Sequence, residues 1–430
     1  MLQAYTGKAF APLVYSFVEN AAIALGMGKP KAFDLVTAAN RVFAHLCRVV
    51  LKNYEQIEIR CTSGGYYVQV EFIFPVADID LRAFNLTAGA LPTDDSESEE
   101  TGLVLAARLV DRCAVSQVDG RGLKLTLLKE KSYPLFEESP LAIPQPLGEF
   151  SIRTPAAEEL KLFARLVKEC YQGQILPEFF DFPGKMVDMT AGEHYDAAVA
   201  VGPAGEIGGG IFWHQSGSKV VECFGPYLFN QEAGSAMANS LLDHCISAIA
   251  RTEVVVLINR FATPELPLEY FELLGGAMFR MDGKEFWRES WFRLLHEDLG
   301  SVAWVHPDLE DFLGQEYQRL ILPREIRHVT QAGEKHARHS VLSTHFDRSE
   351  ATATLRPMWF GTDFEENLEQ HLQLLHQEGM LNIFFYLDVG KSWQAAFTPG
   401  LLRHDFKPCL VFPWSGVGDV VLFQFQGACS

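Results

Sequence analysis

Apolar positions recur along this chain in two rhythms. In residues 9–26, Leu13, Phe17, Ala21 and Ala24 stand at helical spacing. A second set, Phe33, Val36, Ala39, Phe43 and Leu46, repeats that spacing, with Asp34 suited to its N-terminal turn. Residues 56–61 and 66–74 then flank Ser63-Gly64-Gly65, which predicts a hairpin. A helix over 103–112, and a strand over 123–128 after Asp119-Gly120, complete a layered α+β region. In residues 132–148, Pro134, Pro140, Pro144 and Pro146 oppose helix and central strand alike, so this segment reads as an extended linker. Beyond it the order is strand 150–153, helix 156–171, and strands 195–201 and 207–213 around Gly202-Pro203-Ala204-Gly205. Then come strand 219–229, helix 233–250, strand 254–259, helix 266–274 and strand 277–281. The remainder repeats the later part of that order: strand 351–360, helix 363–378, strand 381–387, helix 393–404, and strands 409–413 and 420–425.

Charge narrows the partners. With 36 Lys+Arg against 55 Asp+Glu, the 430-residue chain carries a net charge of −19. Such a surface is repelled by nucleic-acid phosphates and anionic membranes, so neither is expected as a partner. Eight scattered cysteines without a C-x-x-C pair predict a reducing compartment. No apolar run is long enough to cross a bilayer, and the expected location is cytoplasmic.

The segment with the clearest chemistry runs from Val220 through Gln231, Gly234, Ser235 and Ala236 into an apolar-faced helix. The first turn of a helix has unpaired amide donors, and small residues there let a pyrophosphate approach the backbone. Gln231-x-x-Gly234-x-Ala236 after a strand resembles the Q/R-x-x-G-x-G/A loop of the GNAT superfamily of N-acetyltransferases. The element order over 150–281 is similar to that fold. The resemblance implies that Gln231, Gly234, Ser235 and Ala236 hold the pyrophosphate of acetyl-CoA or another acyl-CoA. It implies too that the strand residues Tyr227, Leu228 and Phe229 pair with the pantetheine arm. Glu222 on the fourth strand is the candidate general base, ahead of His194 and His214. Tyr270 is the candidate proton donor to the departing thiolate, one step from the family's tyrosine position, which Phe271 takes. The final region lacks such a loop. Thr362-x-x-Glu365 reads as a capping box that occupies the helix amides, and three carboxylates there would repel a phosphate.

Residues 8–130 resemble the ATP-binding (GHKL-type) domain shared by histidine kinases and anti-sigma-factor kinases, through Asn40, Arg41 and His45 on a helix and the segment from Gly102 to Asp111. Thr37 replaces the family's glutamate, Arg41 its Mg²⁺-binding asparagine, and no Asp-x-Gly stands near Asp78 and Asp80. ATP turnover is therefore not expected. His336-x-x-His339-x₅-His345-x-Asp347 meets no zinc spacing, and no metal is expected. The aromatics Phe286, Trp287, Trp291 and Phe292 read as a packed helix face, and the glycines 208–210 as a closely packed strand.

Taken together, the fold class is α+β: a two-layer ATPase-like sandwich (1–133), the linker (134–148), a GNAT-like acyl-CoA-binding domain (149–284) and a degenerate second GNAT-like domain (285–430). Two functions stay open. One is an acyl-CoA-dependent N-acyltransferase acting on a small-molecule or protein amine. The other is a non-catalytic signalling protein using both folds as sensor and scaffold for a regulatory partner.

Overall fold

The computed structural model describes residues 1–49, 55–75, 81–88, 102–118, 122–135, 141–232, 236–281, 283–329 and 336–427. It is a mixed α+β architecture of four sheets. The first sheet is wholly antiparallel, in the order β1 (Leu2–Tyr5), β2 (Gln56–Ser63), β3 (Tyr67–Phe74), β5 (Gly122–Glu130) and β4 (Arg112–Val118). Alternate residues such as Val68, Val70 and Phe72, with Leu123, Leu125 and Leu127, pack against α1 (Ala11–Ala24), α2 (Lys29–Val49) and α3 (Gly102–Leu109). Period-2 burial on the strands and helical spacing on α2 make this one core. The sequence pattern predicts α1, α2, α3 and three strands here, but not β1 or β4. Both are edge strands with little apolar alternation, so tertiary pairing forms them.

The second sheet has seven strands, in the order β11 (Glu272–Met281), β12 (Lys284–Leu294), β10 (Val256–Asn259), β9 (Val220–Leu228), β8 (Ile207–Gly217), β7 (Asp196–Val201) and β6 (Ser151–Arg153). Helices α4 (Ala157–Cys170) and α5 (Pro183–Ala191) cover one face, and α6 (Met237–Ile249) the other. Only β9 and β10 run parallel. A Cβ at Gly210 would lie 2.6 Å from the Phe163 ring, so this glycine of β8 admits α4 at close range, while Gly208 and Gly209 face Met237 of α6. Two expected helices are corrected. Residues 266–274 form a short 3₁₀ turn, Leu268–Tyr270, and then enter β11, while the aromatic segment from Phe286 is strand β12. Pro264 and Pro267 oppose a helix at the first place, and the β11–β12 hairpin recruits both segments.

The third part begins with a parallel pair, β13 (Ser301–Val305) and β14 (Arg324–His328), joined by α7 (Pro307–Arg319). Arg324 there is fully buried between Asp298 and Asp419, at 2.8 and 2.7 Å. Its main sheet has the order β15 (Val341–Asp347), β16 (Thr352–Trp359), β17 (Asn382–Asp388), β19 (Val420–Phe425) and β18 (Phe406–Phe412), with α8 (Phe364–Gln377) and α9 (Thr398–Arg403). Again one pair, β16 with β17, is parallel. The predicted repeat is thus visible in topology: β9-α6-β10 followed by the β11–β12 pair corresponds to β16-α8-β17 followed by β18–β19. The capping box is not formed. Asp363 stands at the N-cap without bonding its own helix, Thr362 bonds the Arg338 carbonyl, and Glu365 pairs with Arg403.

Side chains stitch the parts together. Buried Asn85 donates to the Ser340 carbonyl (2.8 Å) and accepts from the Leu342 amide (2.9 Å), tying the first sheet to the third. Asn382 bonds both backbone groups of Arg280, and Gln424 does the same for Met278, which joins β11 to the third sheet. No helix among the described residues is long and apolar enough to cross a membrane, and the seven described cysteines are free thiols.

Candidate functional site

Strands β9 and β10 are in register only from Val220↔Val256 to Glu222↔Ile258, and then part. The β8–β9 ladder shifts register between Gly210 and Phe212, and such a bulge bends its strand. Past Asn259 the chain turns away, with the Phe261 amide bonded to the Asn259 side chain at 2.9 Å. A fork results, and backbone groups of β9 face it. Each must find a partner. The Gly225 carbonyl accepts from Asn259 Nδ2 and the Pro226 carbonyl from Thr263 Oγ1, both at 2.7 Å. The Leu228 amide donates to the Tyr171 hydroxyl at 2.8 Å, and that hydroxyl donates to the Leu228 carbonyl at 3.3 Å.

Of the residues expected to hold acyl-CoA, Tyr227, Leu228, Phe229, Gln231 and Ala236 are described, and they lie at or beyond this edge. Tyr227 is fully buried against Phe163, Tyr171 and Phe180, and its hydroxyl has no partner among the described residues. The Phe229 amide bonds the Gly208 carbonyl, and its ring packs on Phe163. Gln231 accepts from the Leu147 amide at 2.9 Å and donates to the Phe229 carbonyl at 2.6 Å, so its amide clamps the linker onto the end of β9. Gly234 and Ser235 lie outside the described residues. Ala236 is the N-cap of α6 and gives it no side-chain hydrogen bond.

Of the two expected catalytic groups, Glu222 stands at the fork mouth and Tyr270 does not. Tyr270 is 49% exposed on the 3₁₀ turn, beneath the Arg293 guanidinium. Glu222 is buried, and both its oxygens bond Arg260 at 2.7 Å. Burial alone would raise its carboxyl. The Arg260 charge and then His214, whose Nε2 is 3.5 Å away, override this and hold it at about 2. A carboxylate so engaged is a poor proton acceptor at neutral pH and anchors Arg260 instead. His214 packs against Tyr195, ring centroids 4.5 Å apart, and stacks on Phe224. His194 stands apart, against Tyr66 and Tyr67.

Glu222, Phe224 and Arg260 open into a cavity of about 1270 Å³ at the junction of the first, second and third sheets. Arg112 enters it from β4, and His345 and Arg356 from β15 and β16. Sequence reading missed this chamber because its walls come from positions about a hundred residues apart. The histidine cluster is dispersed: His336 lies against Phe360, His339 bonds Asp363 at 2.7 Å, and His345 faces the cavity. Among the described residues no three His, Cys, Asp or Glu groups converge as a metal site would require.

No protein-family model matches the chain, and no curated protein does. Similar solved structures include a GNAT phosphinothricin acetyltransferase from Sinorhizobium meliloti in complex with acetyl-CoA, 18% identical, covering 34% of this chain and 89% of that one, with a TM-score of 0.29. An N-acetyltransferase from Staphylococcus aureus Mu50 is 16% identical over 35% of this chain and 100% of its own, TM-score 0.29. An aminoglycoside 6'-acetyltransferase type Ii is 15% identical over 34% and 98%, TM-score 0.28. These likenesses concern about a third of the chain.

Proposed function

We propose that the chain is a GNAT-type, acyl-CoA-dependent N-acyltransferase whose amine acceptor enters from the central cavity. The observation that carries this reading is the fork, where backbone groups of Gly225, Pro226 and Leu228 on β9 face a gap between two parallel strands. In this reading Tyr227, Leu228 and Phe229 border the pantetheine arm, and Gln231, Gly234, Ser235 and Ala236 border the pyrophosphate. The acceptor nitrogen attacks the thioester carbonyl carbon, a C–N bond forms, the C–S bond breaks, and the proton lost by the amine balances the one gained by the thiolate. Of the groups named for acid–base work, His214 is the one at the fork mouth free of a guanidinium partner, and we assign it the base role, with Glu222 orienting it. We read the chain as three units, the linker joining the first to the second, and the first as a nucleotide-fold relic used for contact or sensing.

A second reading, a ligand-binding regulatory protein without turnover, is favoured by one specific observation. Asn259, Thr263 and Tyr171 already satisfy the β9 edge. Titration with acetyl-CoA, followed by thiol release over a panel of amines, separates the two. Saturable binding with release supports the enzyme. Binding without release over the panel supports the regulator, and no binding overturns the acyl-CoA assignment.

A further inference from the structure

We propose that the central cavity is a binding site for a small organic polyanion, held by one guanidinium from each of the three large sheets: Arg112, Arg260 and Arg356. The inference does not depend on acyl transfer. In a chain of net charge −19, this one cavity collects ten basic side chains against six carboxylates. Most of the others are spoken for: Arg288 pairs with Glu350, Arg348 with Glu378, Lys129 with Asp34 and Lys185 with Glu130. Asp347 turns its carboxylate back onto Ser349 and the Glu350 amide.

Arg112 and Arg356 differ. Neither lies within ion-pair distance of a carboxylate among the described residues, although both line the cavity. Arg356 lies over the Tyr386 ring at 4.6 Å. It is exposed to water, yet desolvation lowers its pKa; Tyr386 and Asp388 oppose this, and repulsion from Arg260 and Arg112 adds to it. Three guanidiniums thus share one electrostatic space. Arg260 uses two of its donors on Glu222, and its side chain remains 40% exposed with donors to spare. His345, on the strand beside Arg356, is held neutral, its pKa down to about 4 through burial and the charges of Arg112 and Arg356.

Like charges lining one cavity cost free energy, and of the three only Arg260 has a carboxylate partner, Glu222, among the described residues; a ligand carrying two or more oxyanion groups recovers that cost. Guanidiniums recognise carboxylates and phosphates by the same two-pronged geometry, so that oxyanion chemistry is what the site reads. The chamber exceeds the volume needed for a bare ion, and Tyr195, Phe224 and Tyr386 give flat apolar surface for an organic frame. Since each sheet supplies one guanidinium, no sheet alone forms the site. Ligand occupancy therefore ties the three parts together.

The test is calorimetric titration of the full chain with citrate and, separately, with fructose 1,6-bisphosphate, which divide the carboxylate from the phosphate source and lack the pyrophosphate read by the acyl-CoA loop. Expected is one site per chain for at least one probe, weakened tenfold or more in both Arg112→Gln and Arg356→Gln and unchanged in Gly234→Glu. That last comparison separates this site from the acyl-CoA loop. Binding of neither probe, or equal binding by the arginine variants, would overturn the proposal.

Discussion

At the middle fork β9 and β10 part after Glu222 and Ile258, and the gap is met by hydrogen-bonding side chains: Asn259, Thr263 and Tyr171. At the second fork β16 and β17 part after Leu355 and Phe385. There Phe397 fills the angle, with its ring against Phe360, Phe364 and Phe385. The helices that follow differ in the same sense. Neither helix has a side-chain cap, but α6 begins at Ala236 with no acidic residue in its first turn, whereas α8 begins at Asp363, whose carboxylate is bound by His339 and Ser340, with Glu365 and Glu366 in its first turn. A polar filler satisfies backbone groups that a ligand's amides could satisfy equally well. An aromatic wedge does not exchange in this way, because removing it leaves a cavity. One topology thus yields one fork lined by polar side chains and one filled by an aromatic core.

That contrast predicts graded losses. Phe397→Ala should cost ~3–5 kcal/mol in denaturant unfolding, the cost of a large aromatic cavity. A cost under 1 kcal/mol would mean the second fork is not held by its wedge. Next comes Arg260→Gln, which strands a buried carboxylate and should cost about 2 kcal/mol at pH 7, below the fully buried range because Arg260 is partly exposed. In the parent the Glu222 pKa is depressed below its unfolded value. The pair therefore contributes stability above the ordinary carboxylate range that is lost as pH falls through about 2. In Arg260→Gln burial dominates, the pKa rises, and stability instead declines as pH increases through it. Unfolding curves across pH 2–7 read this change of sign.

Tyr171→Phe tests the polar fork. It leaves the Leu228 amide unpaired and should cost about 1–2 kcal/mol in the free protein. Acetyl-CoA, supplying a replacement partner, should then bind about fivefold more tightly than to the parent, by calorimetry. The smallest effect is at Thr263→Val, about 1 kcal/mol of stability from the Pro226 carbonyl, with little change in acetyl-CoA affinity.

Much of the frame was legible from pattern alone. The strand expected over 420–425 is β19 with the same bounds, and α4 and α8 fall within a residue of their expected ends. Those elements have strong periodicity and clear punctuation. The segments 266–274 and 286–295 misled because their apolar spacing satisfies a helix locally, while hairpin pairing, a non-local event, makes both strand. The site was legible only in part. Glu222 and the Tyr227–Gln231 stretch lie at the fork, but Arg112, Arg260, Arg356 and Tyr171 carry no local motif and come together only through packing. The partner that neutralises Glu222 follows it by 38 residues. No spacing rule announces it.

The most direct measurement is the stoichiometry of acetyl-CoA binding to the full chain by isothermal titration, repeated with Gly234→Glu. One acetyl-CoA per chain, lost in Gly234→Glu, is the predicted result, since among the described residues the middle fork combines a polar edge with a helix whose first turn carries no carboxylate. Two per chain, or one per chain that survives Gly234→Glu, would contradict the distinction drawn between the forks, and no binding at all would contradict the acyl-CoA reading itself.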